Sequence, residues 1–196
     1  MKTVFVDVDT QIDFLFPAGA LYVPGSESLL PRFAALNRYA ASQGIALIST
    51  MDAHSENDPE FKDWPPHCVV GTTGQQKPAA TLLENRVVVP SSTSDVTIAG
   101  AQQILLEKQT TNCFTNANLE RVLGELGAER YVVYGVVTEI CVKNAVLGLL
   151  KTGKRVELVT DAVQSLDAAK AVEVLESFTV QGGVRTTWAE VMAQAA

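Results

Sequence analysis

The chain has 196 residues, of which 47% are hydrophobic and 19% are charged. This composition can fill one large core and is too apolar for an intrinsically disordered chain, so we expect a single domain over 1–196. The formal net charge is −7 without runs of Lys or Arg, which argues against nucleic acid and anionic membranes as partners. No apolar run reaches the roughly 20 residues that span a bilayer.

The chain has three cysteines, Cys68, Cys113 and Cys141, and none of them forms a C-x-x-C pair. An odd number of cysteines without a secretory signal is typical of reduced thiols, so we expect a cytoplasmic protein. His54 and His67 are the two histidines of the chain, and any histidine chemistry must therefore use them.

The first half of the chain alternates between strand and helix patterns. The apolar periods and turn residues predict a strand over 3–9, a helix over 26–44 with Ser26 or Ser28 as N-cap, a strand over 45–52, a long loop over 53–82, and a small hairpin from 86–90 and 95–99.

The second half repeats the alternation. It predicts strands over 103–109, 130–137, 155–162 and 178–187, and helices over 116–126, 138–153 and 167–178 and from Trp188 onward. Such alternation is typical of βαβ units, so we expect an α/β fold: a three-layer α/β/α, doubly wound parallel sheet that resembles a Rossmann fold. A P-loop and a G-x-G-x-x-G motif are both absent from the sequence, so nucleotide binding has no signature.

Cys141 is the candidate nucleophile because it lies just after a strand, at the start of a predicted helix. Ligands of such sheets bind beyond the carboxyl ends of the strands. With Thr138 as N-cap, Cys141 would occupy the third helical position, where the helix dipole would lower the thiol pKa. The alternative is a buried cysteine that packs as a small apolar residue.

Asp9 and Lys108 are the candidate base and its partner, since each ends a predicted strand at the same edge. A carboxylate beside a thiol can accept its proton, and a lysine would stabilise both anions. Alone, Asp9 is more often a turn residue and Lys108 more often a solvated surface residue. Asp7, on the same predicted strand as Asp9, is not taken as the base. Asp161 is interpreted as the N-cap of the next helix.

Asp52, His54 and His67 form a candidate metal site, and Asp58 could add a further oxygen. One carboxylate and two imidazoles suit Zn²⁺, Fe²⁺ or Mn²⁺ with open coordination positions. The alternatives are two hydrogen-bonded loop histidines, or a Cys–His dyad in which a histidine activates Cys141.

Together these segments resemble the nicotinamidase branch of the isochorismatase-like cysteine hydrolases, over nearly the whole chain. Lys108 falls where that family has its lysine. The matching segments are D-x-Q-x-D-F from Asp9 to Phe14, PAGALYVPG over 17–25, D-x-H from Asp52 to His54, WPPHCVVGT over 64–72, and GVVTEICV over 135–142.

The resemblance implies a catalytic triad of Asp9, Lys108 and Cys141. It also implies a cis peptide between Val136 and Val137 and an oxyanion hole formed by the amides of Val137 and Cys141. Val137 would in addition contact the substrate.

The resemblance further implies one divalent metal on Asp52, His54 and His67 that binds the nitrogen of a pyridine ring. By position, Phe14 and Trp64 would form aromatic walls for that ring, although both could equally be core residues.

The sequence departs from the family pattern at five places, which bear on the substrate more than on the chemistry. They are Ala53 in place of an aromatic residue, Asp58 in place of a histidine, the segment 109–114 without its aromatic-Ser pair, Ala145 in place of a threonine, and a longer segment over 86–100.

We therefore expect an amidohydrolase that acts on a small planar carboxamide, with nicotinamide as the leading candidate. The alternatives are a related hydrolase of another small amide, a ureido compound or a vinyl ether, and a catalytically silent metal-binding domain. Assembly into a homo-oligomer is left open by the sequence.

Overall fold

The computed structural model describes residues 1–193 and contains a seven-stranded sheet in the order β3-β4-β2-β1-β5-β6-β7. Every pair of neighbouring strands is parallel, which confirms the predicted α/β fold class. The strands are β1 Thr3–Val8, β2 Ala46–Asp52, β3 Arg86–Val89, β4 Gln103–Lys108, β5 Arg130–Val136, β6 Arg155–Gln164 and β7 Val184–Thr186.

Helices cover both faces of the sheet, as the three-layer prediction requires. They are α1 Ile12–Leu15, α2 Leu30–Ser42, α3 Leu119–Leu126, α4 Lys143–Leu150, α5 Ala168–Val180 and α6 Trp188–Ala193. One core lies under α2 and α6 and includes Phe33 and Val191, and the other lies under α3, α4 and α5 and includes Leu149 and Phe178. Within residues 1–193 no helix is long and apolar enough to cross a membrane.

The central strands explain why the sheet is specified so clearly. In β1 and β5 every residue except the first is buried, because helices cover both faces. Parallel strands in this position are nearly continuous apolar runs, and RYVVYGV in β5 is an example.

The predicted hairpin over 86–99 is wrong. Arg86–Val89 forms an edge strand that pairs in parallel with β4, and 95–99 contains no strand. That loop instead packs along α3, where Asn118 donates to the carbonyl of Ser92 at 2.7 Å and Arg121 donates to that of Val96 at 3.1 Å. These side chains pair with the loop carbonyls in place of a second strand.

Three predicted element ends also differ from the structure. The helix after Gly25 becomes regular only at Leu30, since Ser26 and Ser28 donate to the carbonyls of Phe14 and Gly25 and cap nothing. The last strand is confined to Val184–Thr186, because residues 178–180 complete α5.

The third difference lies at the end of β6, which continues to Gln164 rather than ending at 162. Asp161 is therefore inside the strand, and its carboxylate accepts from the backbone of Trp188 at 2.7 Å. The N-cap of α5 is Asp167, which accepts from the amides of Ala169 and Lys170 at 3.0 and 3.1 Å.

Candidate active site

The residues predicted to carry the chemistry lie at the carboxyl ends of four adjacent strands. Asp9 follows β1, Asp52 ends β2, Lys108 ends β4, and Cys141 lies in the turn that follows β5. Asp52 and Lys108 are direct neighbours in the register of β2 and β4. This is the edge where doubly wound sheets bind ligands.

Lys108 joins the other three groups. Its Nζ lies 2.8 Å from Asp9 Oδ2 and 3.8 Å from Cys141 Sγ, and it donates to Asp52 Oδ1. The side chain is 1% exposed. Burial alone would lower the pKa of Lys108, but the carboxylates of Asp52 and Asp9 outweigh it and raise that pKa well above its ordinary value. Lys108 is therefore a buried ammonium ion.

Asp9 is held in an uncommon backbone conformation with φ of 50°. Asp tolerates this left-handed region better than most residues do. The amide of Asp9 donates to the carbonyl of Thr50 at 3.2 Å, and its Oδ1 accepts from Thr50 Oγ1 at 2.6 Å. One carboxylate oxygen is thus fixed by the hydroxyl, and the other faces Lys108.

Cys141 is buried, and the start of its helix differs from the prediction. Val137 is the N-cap of a π-helical turn over Thr138–Val142, so Cys141 is not the third residue of a regular helix. Thr138 caps nothing, since its hydroxyl donates to the carbonyl of Gln164 at 2.9 Å.

The expected low thiol pKa is also wrong for this resting state. Burial is the largest cause that raises the pKa of Cys141 well above its ordinary value. Lys108 lowers that pKa in part, and the negative charges of Asp9 and Asp52 raise it further. Burial thus opposes the thiolate form of Cys141, and Lys108 favours it.

The backbone before Cys141 has the cis peptide that the resemblance implies, between Val136 and Val137. Gly135 precedes it with φ of 125°, and a Cβ there would lie 2.1 Å from the carbonyl oxygen of Val8. Only glycine allows β5 to approach β1 this closely. The carbonyl of Val137 then accepts from the amide of Val142 at 3.0 Å and so anchors the turn.

Asp52, His54 and His67 are all buried, and their ligand atoms lie within 4.8 Å of one another. The Nε2 atoms of His54 and His67 are 3.9 and 3.7 Å from Asp52 Oδ2. His67 donates from Nδ1 to the carbonyl of Pro65 at 2.8 Å, which leaves its Nε2 lone pair toward the cluster. His54 Nε2 is buried and makes no hydrogen bond among residues 1–193. These residues fit a divalent metal.

Asp58 lies on the other side of His54. Its Oδ2 is 3.1 Å from His54 Nδ1, whereas the cluster faces Nε2. Asp58 is therefore placed to orient the His54 ring, in the way that carboxylates often support metal-binding histidines.

Gln11 and Asp13, from the first motif, hold the metal segments together. The side chain of Gln11 accepts from the amide of Asp52 at 2.7 Å and donates to the carbonyls of Asp52 and Gln75 at 2.8 and 2.7 Å. The carboxylate of Asp13 accepts from the amide of Cys68 at 2.7 Å, next to His67.

A narrow pocket of about 20 Å³ lies over these groups. Phe14, Trp64 and Val137, which were predicted to contact substrate, all line it. Cys141 and the cluster residues Asp52 and His67 line it as well, together with Leu21, Glu60, Thr111, Ile140 and Leu166. A larger groove between α3 and α4 contains none of the predicted site residues.

The structure does not favour the Cys–His alternative. Both histidines face Asp52, and no hydrogen bond joins either of them to Cys141 in the described part of the chain. The charged groups with the largest effects on the pKa of the thiol are Lys108 and Asp9.

Comparison with known protein families gives one match, in which the family model "Isochorismatase domain" covers residues 3–190. The chain belongs to the isochorismatase family. This family membership confirms the resemblance that the motifs carry.

Individual relatives of this isochorismatase-family chain agree. Nicotinamidase from Escherichia coli (strain K12) is 26% identical over 193 residues, which cover 84% of this chain and 86% of the relative. The crystal structure of pyrazinamidase from Pyrococcus horikoshii in complex with zinc is 26% identical, with a TM-score of 0.79 over 95% of this chain and 99% of that one.

An isochorismatase-like hydrolase from Alkaliphilus metalliredigens shares the fold, with a TM-score of 0.82 over the whole of both chains at 22% identity. The family model and the relatives at 26% identity support the nicotinamidase branch and an amidohydrolase that acts on C–N amide bonds.

Two polar residues of this site could not be predicted, because no sequence motif marks either of them. Thr50 lies inside β2, and only the register of β1 on β2 brings its hydroxyl to Asp9. Glu60 lies in a short 3₁₀ turn and lines the pocket. Burial is the largest cause that raises the pKa of Glu60, and the charge of Asp52 adds to it.

Proposed function

We propose that this enzyme hydrolyses a small planar carboxamide, with nicotinamide as the leading candidate, through a thioester on Cys141. The observation that carries the proposal is the position of Lys108, whose ammonium group contacts Asp9, Asp52 and Cys141 at once. Lys108 thus connects the thiol and the carboxylate base to the metal-binding cluster, and Cys141, Asp52 and His67 line the same pocket. The nicotinamidase and pyrazinamidase relatives support this substrate class.

In the first half-reaction Asp9 accepts the thiol proton, and Cys141 Sγ attacks the carboxamide carbon. The C–S bond forms, and negative charge moves to the carbonyl oxygen, where the amides of Val137 and Cys141 donate to it. Asp9 then passes the proton to the amide nitrogen as the C–N bond breaks. Ammonia leaves, and the acyl group remains on sulfur as a thioester.

In the second half-reaction a water molecule gives a proton to Asp9 and attacks the thioester carbon. The C–S bond breaks, the sulfur regains its proton from Asp9, and the free acid leaves. Lys108 stays protonated throughout, because Asp52 remains its anionic partner while Asp9 carries the proton. Its Nζ faces both Asp9 and the sulfur, so its charge would stabilise the thiolate that forms.

Asp52, His54 and His67 would hold one divalent ion, Zn²⁺, Fe²⁺ or Mn²⁺. When bound, the ion supplies a Lewis-acid position for the ring nitrogen of the substrate. Phe14 and Trp64 line the same pocket and would contact the faces of the ring. The ion would thus orient the substrate, while the nucleophile is the sulfur.

The test is ammonia release from a panel of compounds, with metal analysis of the purified enzyme. Nicotinamide and pyrazinamide should be hydrolysed, whereas benzamide should be poor because it lacks the ring nitrogen. Equal hydrolysis of benzamide and nicotinamide would contradict the role of the metal. Turnover of a ureido compound or a vinyl ether, with none of nicotinamide, would contradict the substrate class.

A further inference from the structure

The connection over 165–167, between β6 and α5, reaches the mouth of the pocket. Its central residue, Leu166, lines the pocket and is nevertheless 43% exposed. A wide ligand would therefore contact Leu166 at the mouth of the pocket before it reached solvent.

Two side chains of the nucleophile turn hold this connection on either side of Leu166. Glu139 Oε1 accepts from the amides of Leu166 and Asp167 at 2.9 and 2.8 Å. The hydroxyl of Thr138 donates to the carbonyl of Gln164 at 2.9 Å. Glu139 is 6% exposed, so its two bonds are shielded from water. Bonds from an amide to a buried carboxylate are among the stronger hydrogen bonds in proteins.

The consequence is a fixed pocket width. Thr138 and Glu139 belong to the same π-helical turn as Ile140 and Cys141, and the latter two also line the pocket. The backbone of Leu166 therefore cannot move away from the nucleophile without breaking the bonds to Glu139. An aliphatic wall held in this way restricts the size of the ring that can reach the sulfur.

We propose that Leu166 is a specificity-determining residue that limits the enzyme to single-ring carboxamides, and that Glu139 is the positioning residue that holds it in place. This inference rests on the proposed function of the same pocket. It assigns an upper limit to substrate width, which neither the triad nor the metal site determines.

The test compares kcat/KM for nicotinamide and quinoline-3-carboxamide. The second compound keeps the ring nitrogen and the carboxamide and adds a fused benzene ring. The wild-type enzyme should strongly prefer nicotinamide. Leu166→Ala removes three carbon atoms and should raise the ratio of the quinoline to the nicotinamide value by about tenfold or more, since a single methylene group in a pocket already has an effect of this size. Val172→Ala, which truncates an exposed residue of α5 outside the pocket, is the matched control and should not change the ratio.

Glu139→Ala should also raise the ratio of the quinoline to the nicotinamide value. In the double variant with Leu166→Ala, this ratio should be little higher than in either single variant. Glu139→Gln should keep the wild-type ratio, because an amide oxygen can still accept from both backbone amides. A purely structural role of Glu139 would instead lower kcat for both substrates equally and slow alkylation of Cys141 by iodoacetamide.

An unchanged ratio in Leu166→Ala, in an enzyme that still hydrolyses nicotinamide, overturns this inference and leaves the proposed function standing. A wild-type enzyme that hydrolyses no amide overturns both. If Glu139→Ala does not fold, Leu166→Ala and Glu139→Gln decide the result between them.

Discussion

Replacing Asp9 with asparagine removes the proposed base and keeps the shape of the side chain. The amide oxygen can accept from Lys108, and the hydroxyl of Thr50, which lies 2.6 Å from Asp9 Oδ1, can then accept from the amide nitrogen. Lys108 loses one carboxylate partner but retains Asp52. The substitution should therefore leave the fold intact while it removes the group that accepts the thiol proton.

The magnitude follows from the geometry. At 2.8 Å from Lys108 Nζ, the attraction on the Asp9 carboxylate is about 6 kcal/mol at an effective dielectric constant of about 20, before desolvation opposes it. Asparagine loses this attraction and cannot take the thiol proton at all. A positioned base contributes about 10²- to 10⁴-fold, which corresponds to about 2.7–5.4 kcal/mol of barrier. We expect kcat to fall by at least about 100-fold.

The assay is ammonia release at saturating nicotinamide, with thermal unfolding of each variant. Asp7→Asn is the matched control, because Asp7 is also buried on β1 but contacts Lys77 and Thr10 rather than the site. It should lose stability and keep kcat within a few-fold of the wild type. A folded Asp9→Asn enzyme within tenfold of wild-type kcat, or an equal loss in Asp7→Asn, would refute the reasoning.

Three further outcomes are expected. Cys141→Ala should abolish ammonia release without lowering Tm, and residual turnover above the background rate would argue for another nucleophile. The wild-type enzyme should carry about one metal ion per chain by elemental analysis. His54→Ala and His67→Ala should each lose it, raise KM for nicotinamide and retain Cys141 alkylation; retained metal would contradict the ligand set. Two arginines hold the pKa of Glu157 below its ordinary value although burial opposes them. Glu157→Gln should therefore lower the free energy of unfolding by about 1.5–3 kcal/mol at pH 7. This difference should shrink in urea titrations as the pH falls below about 4.5; a pH-independent difference would contradict it.

The sheet could be predicted from the sequence because burial on both faces leaves a strong pattern. RYVVYGV has the continuous apolar pattern of a central strand, and Gly44 and Gly153 mark helix ends that the structure confirms within a few residues. The segment over 86–99 could not be predicted, because its short apolar runs have the same period in a hairpin and in a parallel edge strand. Only the contacts of this segment with α3 distinguish the edge strand from a hairpin.

The site was predictable to the extent that its residues follow strands. Asp52 and Lys108 each end a strand and Asp9 directly follows one, so parallel topology alone brings them to one edge. The thiol pKa of Cys141 was not predictable, because it depends on burial and on the distances to neighbouring charges. The wall formed by Leu166 was also missed, since its position depends on a hydrogen bond to Glu139 from a distant part of the chain.

The central claim is that acyl transfer passes through a thioester on Cys141, with Asp9 as the base. The most direct measurement is rapid acid quenching of the enzyme during turnover of nicotinamide, followed by mass spectrometry of the peptide that contains Cys141. We expect that peptide to gain the mass of one nicotinoyl group, which hydroxylamine removes, and Asp9→Asn to show far less of it at the same quench time. An unmodified Cys141 peptide at every quench time during active turnover, or the same adduct on another residue, would contradict the mechanism.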